Sequence, residues 1–287
     1  MIKKISDYLS LVKFVHTIFA MPFALIGFFV AIKIGGSPFS WHILILVILC
    51  MIFARNAAMA FNRYADRKID SLNPRTAARE IPKGIISPRS ALLFISANVI
   101  LFMLTTWFIN MLTFALAPVA LLIILGYSLA KRYTSLCHFV LGLGLSLAPI
   151  GAYISVCGKF GILPIMYSLA VLFWVSGFDM IYSLQDYRFD QSVSLKSMPA
   201  WLGKSKTLVL SAILHLFTTG FIIAAGIYGE FGLLYWIGSF IFISLLLYQH
   251  LIVKPDDLSR VNVAFQTING IASITFAIFT IISLYLK

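Results

Sequence analysis

The feature that most constrains this chain is a series of nine apolar stretches, each about the 20 residues needed to cross a bilayer. They lie at residues 14–34, 40–60, 91–109, 112–130, 137–157, 162–182, 207–228, 231–252 and 263–286. Turn formers, Pro38, Asn110, Gly158, Gly229 and Pro255, fall at or near the breaks between them. A soluble domain carries about 25% charged residues; this chain has 11%, with 61% hydrophobic residues and a mean hydropathy of +0.97. The expectation is an all-α integral membrane protein with nine transmembrane helices, residues 1–287 forming one polytopic domain. The start, Lys3 and Lys4 before an apolar run from Phe14, mimics a signal peptide. It lacks a clear small-residue cleavage site and further spans follow, so the first helix is read as retained.

The charges of the connecting segments orient this array. The chain has 22 Lys and Arg against 10 Asp and Glu, a net +12. With the N-terminus cytoplasmic, every base except Lys33, Lys159 and Lys287 falls on the cytoplasmic side, as the positive-inside rule requires. An odd number of spans then puts the C-terminus on the opposite side, in a bacterial inner membrane. Two cytoplasmic segments, 61–90 and 183–206, are long and charged, and function is expected there. Topology accounts for much of the positive charge without nucleic acid. Cys50, Cys137 and Cys157 form no CxxC pair, so neither a disulfide framework nor a thiolate zinc site is supported. His16, His42, His138, His215 and His250 show no pair at ligand spacing and read as structural.

The ten acids are Asp7, Asp66, Asp70, Glu80, Asp179, Asp186, Asp190, Glu230, Asp256 and Asp257, and five of them form two groups at the cytoplasmic ends of the second and sixth spans. In Asn62-Arg-Tyr-Ala-Asp66-Arg-Lys-Ile-Asp70, positions four apart turn by about 40°, so Asn62, Asp66 and Asp70 share one helix face. A helical Asp179-Met-Ile-Tyr182-Ser-Leu-Gln-Asp186-Tyr-Arg-Phe-Asp190 places Tyr182, Asp186 and Asp190 within about 60° of Asp179. Like charges four apart cost a helix a few tenths of a kcal/mol, and near the bilayer each costs more. Stacking them calls for a bound cation. Oxygen ligands without Cys or His suit Mg²⁺, which bridges to substrate phosphates. Pairing of an acidic helix end with Arg63, Arg67 or Arg188 is the plainer alternative, but it does not explain two matched groups.

The groups also look like an internal repeat. Aligning Asp66 and Asp70 with Asp186 and Asp190 sets Asn62 against Tyr182, and each group precedes a basic loop with Pro and Gly, Ile81-Pro-Lys-Gly84 and Met198-Pro-Ala-Trp-Leu-Gly203. Two carboxylate faces roofed by these loops would make a magnesium-diphosphate site, with Arg67, Arg75 and Arg79 as candidate diphosphate contacts. Lys131-Arg132 adds two cations nearby, where an anionic co-substrate could be held, Arg being suited to carboxylates.

These residues resemble the UbiA-type intramembrane prenyltransferases, and the resemblance covers nearly the whole chain. It is carried by Asn62-x-x-x-Asp66-Arg67-x-x-Asp70, Asn73-Pro-Arg-Thr-Ala-x-Arg79-x-Ile-Pro, Lys131-Arg132-x-Thr134 and Asp179-x-x-Tyr182-x-x-x-Asp186-x-x-x-Asp190. The resemblance implies a nine-helix bundle with two pseudo-repeated Asp-rich motifs, a lateral opening for the lipid chain, and transfer of a polyprenyl group from an allylic polyprenyl diphosphate to a ring carbon of an aromatic acid in quinone biosynthesis. By position, Asn62, Asp66, Asp70, Asp186 and Asp190 would hold the metal and its diphosphate, Asp179 and Tyr182 would line the same site, and Arg67 would contact phosphate. By similarity to the 4-hydroxybenzoate branch, Arg132 would bind the acceptor's carboxylate. Met59-Ala-Phe-Asn-Arg63, Leu136-Cys-His-Phe-Val-Leu-Gly142 and Gly177-Phe-Asp-Met-Ile-Tyr182 typify a branch that also includes menaquinone enzymes acting on 1,4-dihydroxy-6-naphthoate.

The implied mechanism is electrophilic aromatic substitution, with Asp66, Asp70, Asp179, Asp186 and Asp190 as the catalytic carboxylates. It needs no protein nucleophile, and the chain shows no convincing Ser/His or Cys/His pair. A secondary transporter of an anionic metabolite is the rival from another class. It would place charges near the bilayer midplane, whereas these acids lie at the inner ends of their spans.

Overall fold

The computed structural model describes residues 2–12 and 19–286. A short helix α1 (Ile2–Leu11) precedes α2 (Met21–Lys33), an apolar helix too short to span by itself. The first part of the expected 14–34 span, with Lys13 and His16, lies outside the described residues, as does Lys287. The chain continues through α3 (Trp41–Leu72), α4 (Pro88–Trp107), α5 (Met111–Tyr133), α6 (Cys137–Cys157) and α7 (Ile162–Ser183). A 3-10 turn, Leu184–Asp186, leads to the short helices α8 (Tyr187–Ser192) and α9 (Met198–Leu202). Three further segments complete the bundle: α10 (Lys204–Tyr228), α11 (Leu233–Ile252), and a π-helical turn, Val263–Ile268, running into α12 (Asn269–Tyr285). Among the described residues eight segments are long and apolar enough to cross a membrane and, with α2, they are consistent with the nine-span pattern.

The helix ends follow the punctuation of the sequence. Asn110 caps α5 by accepting from Thr113 N at 2.8 Å and also donates to Ile154 O at 3.0 Å, tying α5 to α6. Gly158 ends α6 in the left-handed conformation at φ 62°. The largest departure concerns the second span. Residues 40–60 were expected to cross and 61–90 to form a loop, but α3 continues without a break to Leu72. Polar side chains do not stop a helix; a proline does, and Asn73, held extended before Pro74, ends this one.

The helices pack as two connected sub-bundles. Helices α3, α4 and α5 lie against one another, α7 packs against α6 and α10, and α2 bridges α6 to α12. Gly27 lets α2 approach α6 closely, since a Cβ there would stand 2.1 Å from Pro149 O. The core of the second sub-bundle is aromatic, with Trp174 buried among Phe23, Phe178 and Phe242. The first sub-bundle is looser and encloses a cavity of about 340 Å³ between α3, α4, α5 and α6.

Candidate active site

The sequence dictates where the polar residues collect. In α3, Asn62, Asp66 and Asp70 share a face, with Asp66 and Asp70 buried and Asn62 Nδ2 3.4 Å from Asp66 Oδ2. In the second group the expected single face is interrupted, because α7 ends at Ser183. Asp179 and Tyr182 belong to α7, Asp186 to the 3-10 turn and Asp190 to α8. The 3-10 turn aims Asp186 toward the segment after α3. Arg75 donates from Nε to Asp186 Oδ1 at 2.9 Å and from Nη2 to Oδ2, and from Nη1 to the Tyr182 hydroxyl at 3.1 Å. Asn73 Nδ2 donates to the same carboxylate at 3.0 Å, while its own Oδ1 accepts from Arg75 N and holds the turn that presents the arginine. Burial opposes the Arg75 charge, but hydrogen bonds and attraction from Asp186 outweigh it and raise its pKa above the usual arginine value, so it stays cationic.

Each remaining carboxylate of the expected metal set has its own cation. Arg132 Nη2 lies 3.0 Å from Asp66 Oδ1 and Arg79 Nη1 lies 2.7 Å from Asp70 Oδ1. Lys131 Nζ stands 3.8 Å from Asp190 Oδ1, an ion pair too long for a hydrogen bond, so that buried oxygen has no hydrogen-bond partner. The two Asp-rich groups and the Lys131-Arg132 pair are thus brought together as expected, with Arg75 and Arg79. Their partners are not the Arg63, Arg67 and Arg188 of the plainer alternative. Arg67 stands apart from the group: its guanidinium lies over the Tyr64 ring at 4.3 Å and donates to Tyr64 O. Arg132, expected on an acceptor carboxylate, is committed here to Asp66 and to Ala65 O.

With each acid turned to its own cation, no three Asp, Glu, His or Cys residues among the described residues converge as a metal cage. The donors nonetheless fit a hard divalent ion. They are carboxylate and amide oxygens alone, and the buried, unpartnered Asp190 Oδ1 is an oxygen without a ligand of its own.

Below this polar layer the cavity begins one helical turn inward. Met59 lines it three residues before Asn62, and Tyr127 lines it four residues before Lys131. It extends past Phe102 and Ala117 to Thr113 and Phe160 at the other membrane face, and its walls are mostly aliphatic. From Tyr127 to Thr113 the α5 wall measures about 21 Å. Among the described residues one cation lines it, Arg55, whose Nε is buried without a hydrogen-bond partner.

Residues 20–275 match the model of the UbiA prenyltransferase family. This chain belongs to that family. Among relatives, the 4-hydroxybenzoate octaprenyltransferase of Aliivibrio salmonicida (strain LFI1238) is 31% identical over 84% of this chain and 84% of its own. The enzyme of that name from Tolumonas auensis is 29% identical over 85% and 84%. Among solved structures, the apo UbiA homolog from Aeropyrum pernix K1 superposes with a TM-score of 0.80 at 28% identity, covering 94% of this chain and 97% of that one. A UbiA homolog from Archaeoglobus fulgidus bound to DMAPP and Mg²⁺ gives 0.77 at 21% identity over 98% and 100%, a likeness of fold. Membership agrees with the all-helical, membrane-spanning architecture.

Three features of this UbiA family member escape sequence spacing. Arg55 reads as one more cytoplasmic base, although a charge inside a spanning stretch was the signal that could have singled it out. His138 Nδ1 lies 2.7 Å from Asp179 Oδ2, and His215 Nδ1 lies 2.7 Å from His250 Nε2. Those pairs are 41 and 35 residues apart, and only the packing of α6 on α7 and of α10 on α11 creates them.

Proposed function

We propose that this chain is a Mg²⁺-dependent polyprenyltransferase that moves a polyprenyl group from an allylic polyprenyl diphosphate to a ring carbon of a 4-hydroxybenzoate-type aromatic acid, releasing diphosphate. The observation that carries the reading is the joining of both carboxylate groups and four cations at the head of a long aliphatic cavity. Such a site suits an amphiphile with an anionic head and an apolar tail. Asn62, Asp66, Asp70, Asp186 and Asp190 would hold the metal ion, which when bound offsets the charge that grows on the departing diphosphate. Arg75, Arg79, Lys131 and Arg132 would exchange their carboxylate partners for diphosphate oxygens and stabilise the same charge. The aliphatic walls exclude water from the developing allylic cation. Arg55, with Tyr127 beside it in the lining, would take the acceptor's carboxylate.

The 61–90 and 183–206 segments would roof this site on the cytoplasmic side, with the N-terminus on that side and the C-terminus opposite, in a bacterial inner membrane. The one-sided distribution of bases supports that orientation. The same pocket chemistry suits 1,4-dihydroxy-6-naphthoate. The test offers purified protein each acid with geranyl diphosphate, with and without Mg²⁺. Prenylated product is expected from at least one acid and only with the metal; no product from either acid overturns the reading. In the same assay, Arg55→Met should raise the acceptor KM by roughly 10- to 100-fold, the worth of a charge-assisted hydrogen bond, with the donor KM unchanged. An unchanged acceptor KM would remove Arg55 from the scheme.

A further inference from the structure

Arg75 reaches from the segment after α3 to the end of α7, and its side chain has two partners among the described residues, Asp186 and the Tyr182 hydroxyl. To take a diphosphate oxygen it must give up Asp186. Tyr182 then holds the guanidinium in place, through its hydroxyl at 3.1 Å and through its ring, 5.4 Å from the guanidinium carbon. A hydroxyl aims only as well as its ring is held. The Tyr182 ring is stacked on Phe265, with centroids 4.1 Å apart and planes at 29°. Phe178 and Phe19 meet Phe265 edge-on at 5.5 and 5.4 Å, so the platform under Tyr182 is itself fixed.

Phe265 lies within the π-helical turn Val263–Ile268. An α-helix rotates about 100° per residue, and a π turn takes in one residue more than an α turn. A regular helix over this segment would therefore rotate Phe265 by up to about 100° against the part of α12 that packs on α2 and α11, and away from Tyr182. The turn is held open by Asn269. A π turn leaves carbonyls without their α-helical donors, and Asn269 Nδ2 donates to Ala264 O at 3.0 Å and to Phe265 O at 3.3 Å. Its Oδ1 accepts from Trp174 Nε1 at 2.9 Å, and both residues are fully buried. An amide inside a spanning helix is costly unless it is hydrogen-bonded. This one is bonded on one side to the irregular turn and on the other to the aromatic core.

We propose that Phe265 is a positioning residue for Arg75, acting through Tyr182, and that Asn269 keeps it in register by holding the π turn open. The proposal rests on the transferase reading above. It adds to that reading what aims one of the cations at the diphosphate. Arg75 moves from Asp186 to the donor about a fixed contact, the Tyr182 hydroxyl, and so loses fewer rotamers on binding than an arginine held by Asp186 alone would. Phe265 and Asn269 lie outside the layer of carboxylates and cations, and their effect reaches it from α12 through α7 to the segment after α3. The irregular start of α12 thereby acquires a purpose that packing alone does not supply.

The test reads binding apart from chemistry. Geranyl diphosphate with sulfur in place of its bridging oxygen resists transfer, and its Kd in the presence of Mg²⁺ is measured by calorimetry beside the melting temperature of each variant. Phe265→Leu should raise that Kd by roughly 3- to 10-fold, the worth of an aromatic pair. Phe265→Tyr, which keeps the stack, should bind as the wild type does. Asn269→Ala, which releases the turn without touching the aromatic rings, should show a loss similar to that of Phe265→Leu. Tyr182→Phe keeps the stack and removes the hydroxyl. In that background Phe265→Leu should add less than about twofold, because both substitutions cut the same path. A Kd unchanged in Phe265→Leu, or raised equally in both backgrounds, overturns the proposal, whatever happens to the melting temperature. Failure of the wild-type protein to bind the diphosphate analogue at all would instead remove the transferase reading, and this proposal with it.

Discussion

The two Asp-rich groups look alike in sequence and are built differently. The first rides on one uninterrupted helix, so Asn62, Asp66 and Asp70 keep the spacing that 3.6 residues per turn dictates. The second crosses a break: α7 stops at Ser183, and the 3-10 turn carries Asp186 away from the line of Asp179. The break divides labour. Asp186 faces Arg75 of the segment after α3, whereas Asp179 stays on α7 facing His138. A repeated motif on a continuous helix keeps its three polar side chains on one face; the same motif on a broken helix separates one carboxylate from the rest.

The most severe test of this comparison removes one proposed metal ligand from each group. Asp66→Ala and Asp186→Ala should each lower turnover by about 10³-fold, as loss of the charge-stabilising centre would, while the protein still inserts in the membrane. Near-wild-type rates in either variant would break the equivalence of the groups. An intermediate effect is expected at the tie between them. Arg75→Ala should raise the donor KM by roughly 10- to 100-fold, a charge-assisted bidentate contact being worth more than a neutral one. Arg75→Lys should recover only part of it, since an ammonium lacks the planar fork. Full recovery by lysine would mean that charge alone matters there. The smallest effect is expected for Arg67→Ala, where the guanidinium leans on Tyr64 outside the carboxylate cluster. Turnover should change by less than about threefold, in line with the small worth of partly exposed contacts; a loss as large as that of Arg75→Ala would place Arg67 on the diphosphate after all.

Periodicity made the spans legible, because in a bilayer every backbone polar group must be satisfied within its own segment and a helix announces itself by length and hydropathy alone. The face shared by Asn62, Asp66 and Asp70 was legible for the same reason: one helix, one spacing. The end of α3 was less so, since its last twelve residues are as polar as a loop and only Pro74 marks the stop. The cation partners depended on where the 73–87 turns and the end of α5 come to rest, which no spacing encodes. His138 illustrates the limit. It looked like one more lone histidine because Asp179 is 41 residues away, and the glycine contact that joins them, Gly142 on Leu172, is a property of packing.

The length of α3 has a consequence for how substrate arrives. A helix of 32 residues runs for about 48 Å, against a hydrocarbon core of about 30 Å. Its acidic end therefore stands at the level of the lipid headgroups, with the aliphatic cavity below it at the level of the acyl chains. A prenyl diphosphate dissolved in the bilayer already has its head and tail at those two depths. The enzyme need not lift its donor into water or invert it, and a tail longer than the cavity can remain in the membrane without cost. Capture becomes a sideways movement along a two-dimensional liquid, with the depth of the reaction set by the number of residues in one helix.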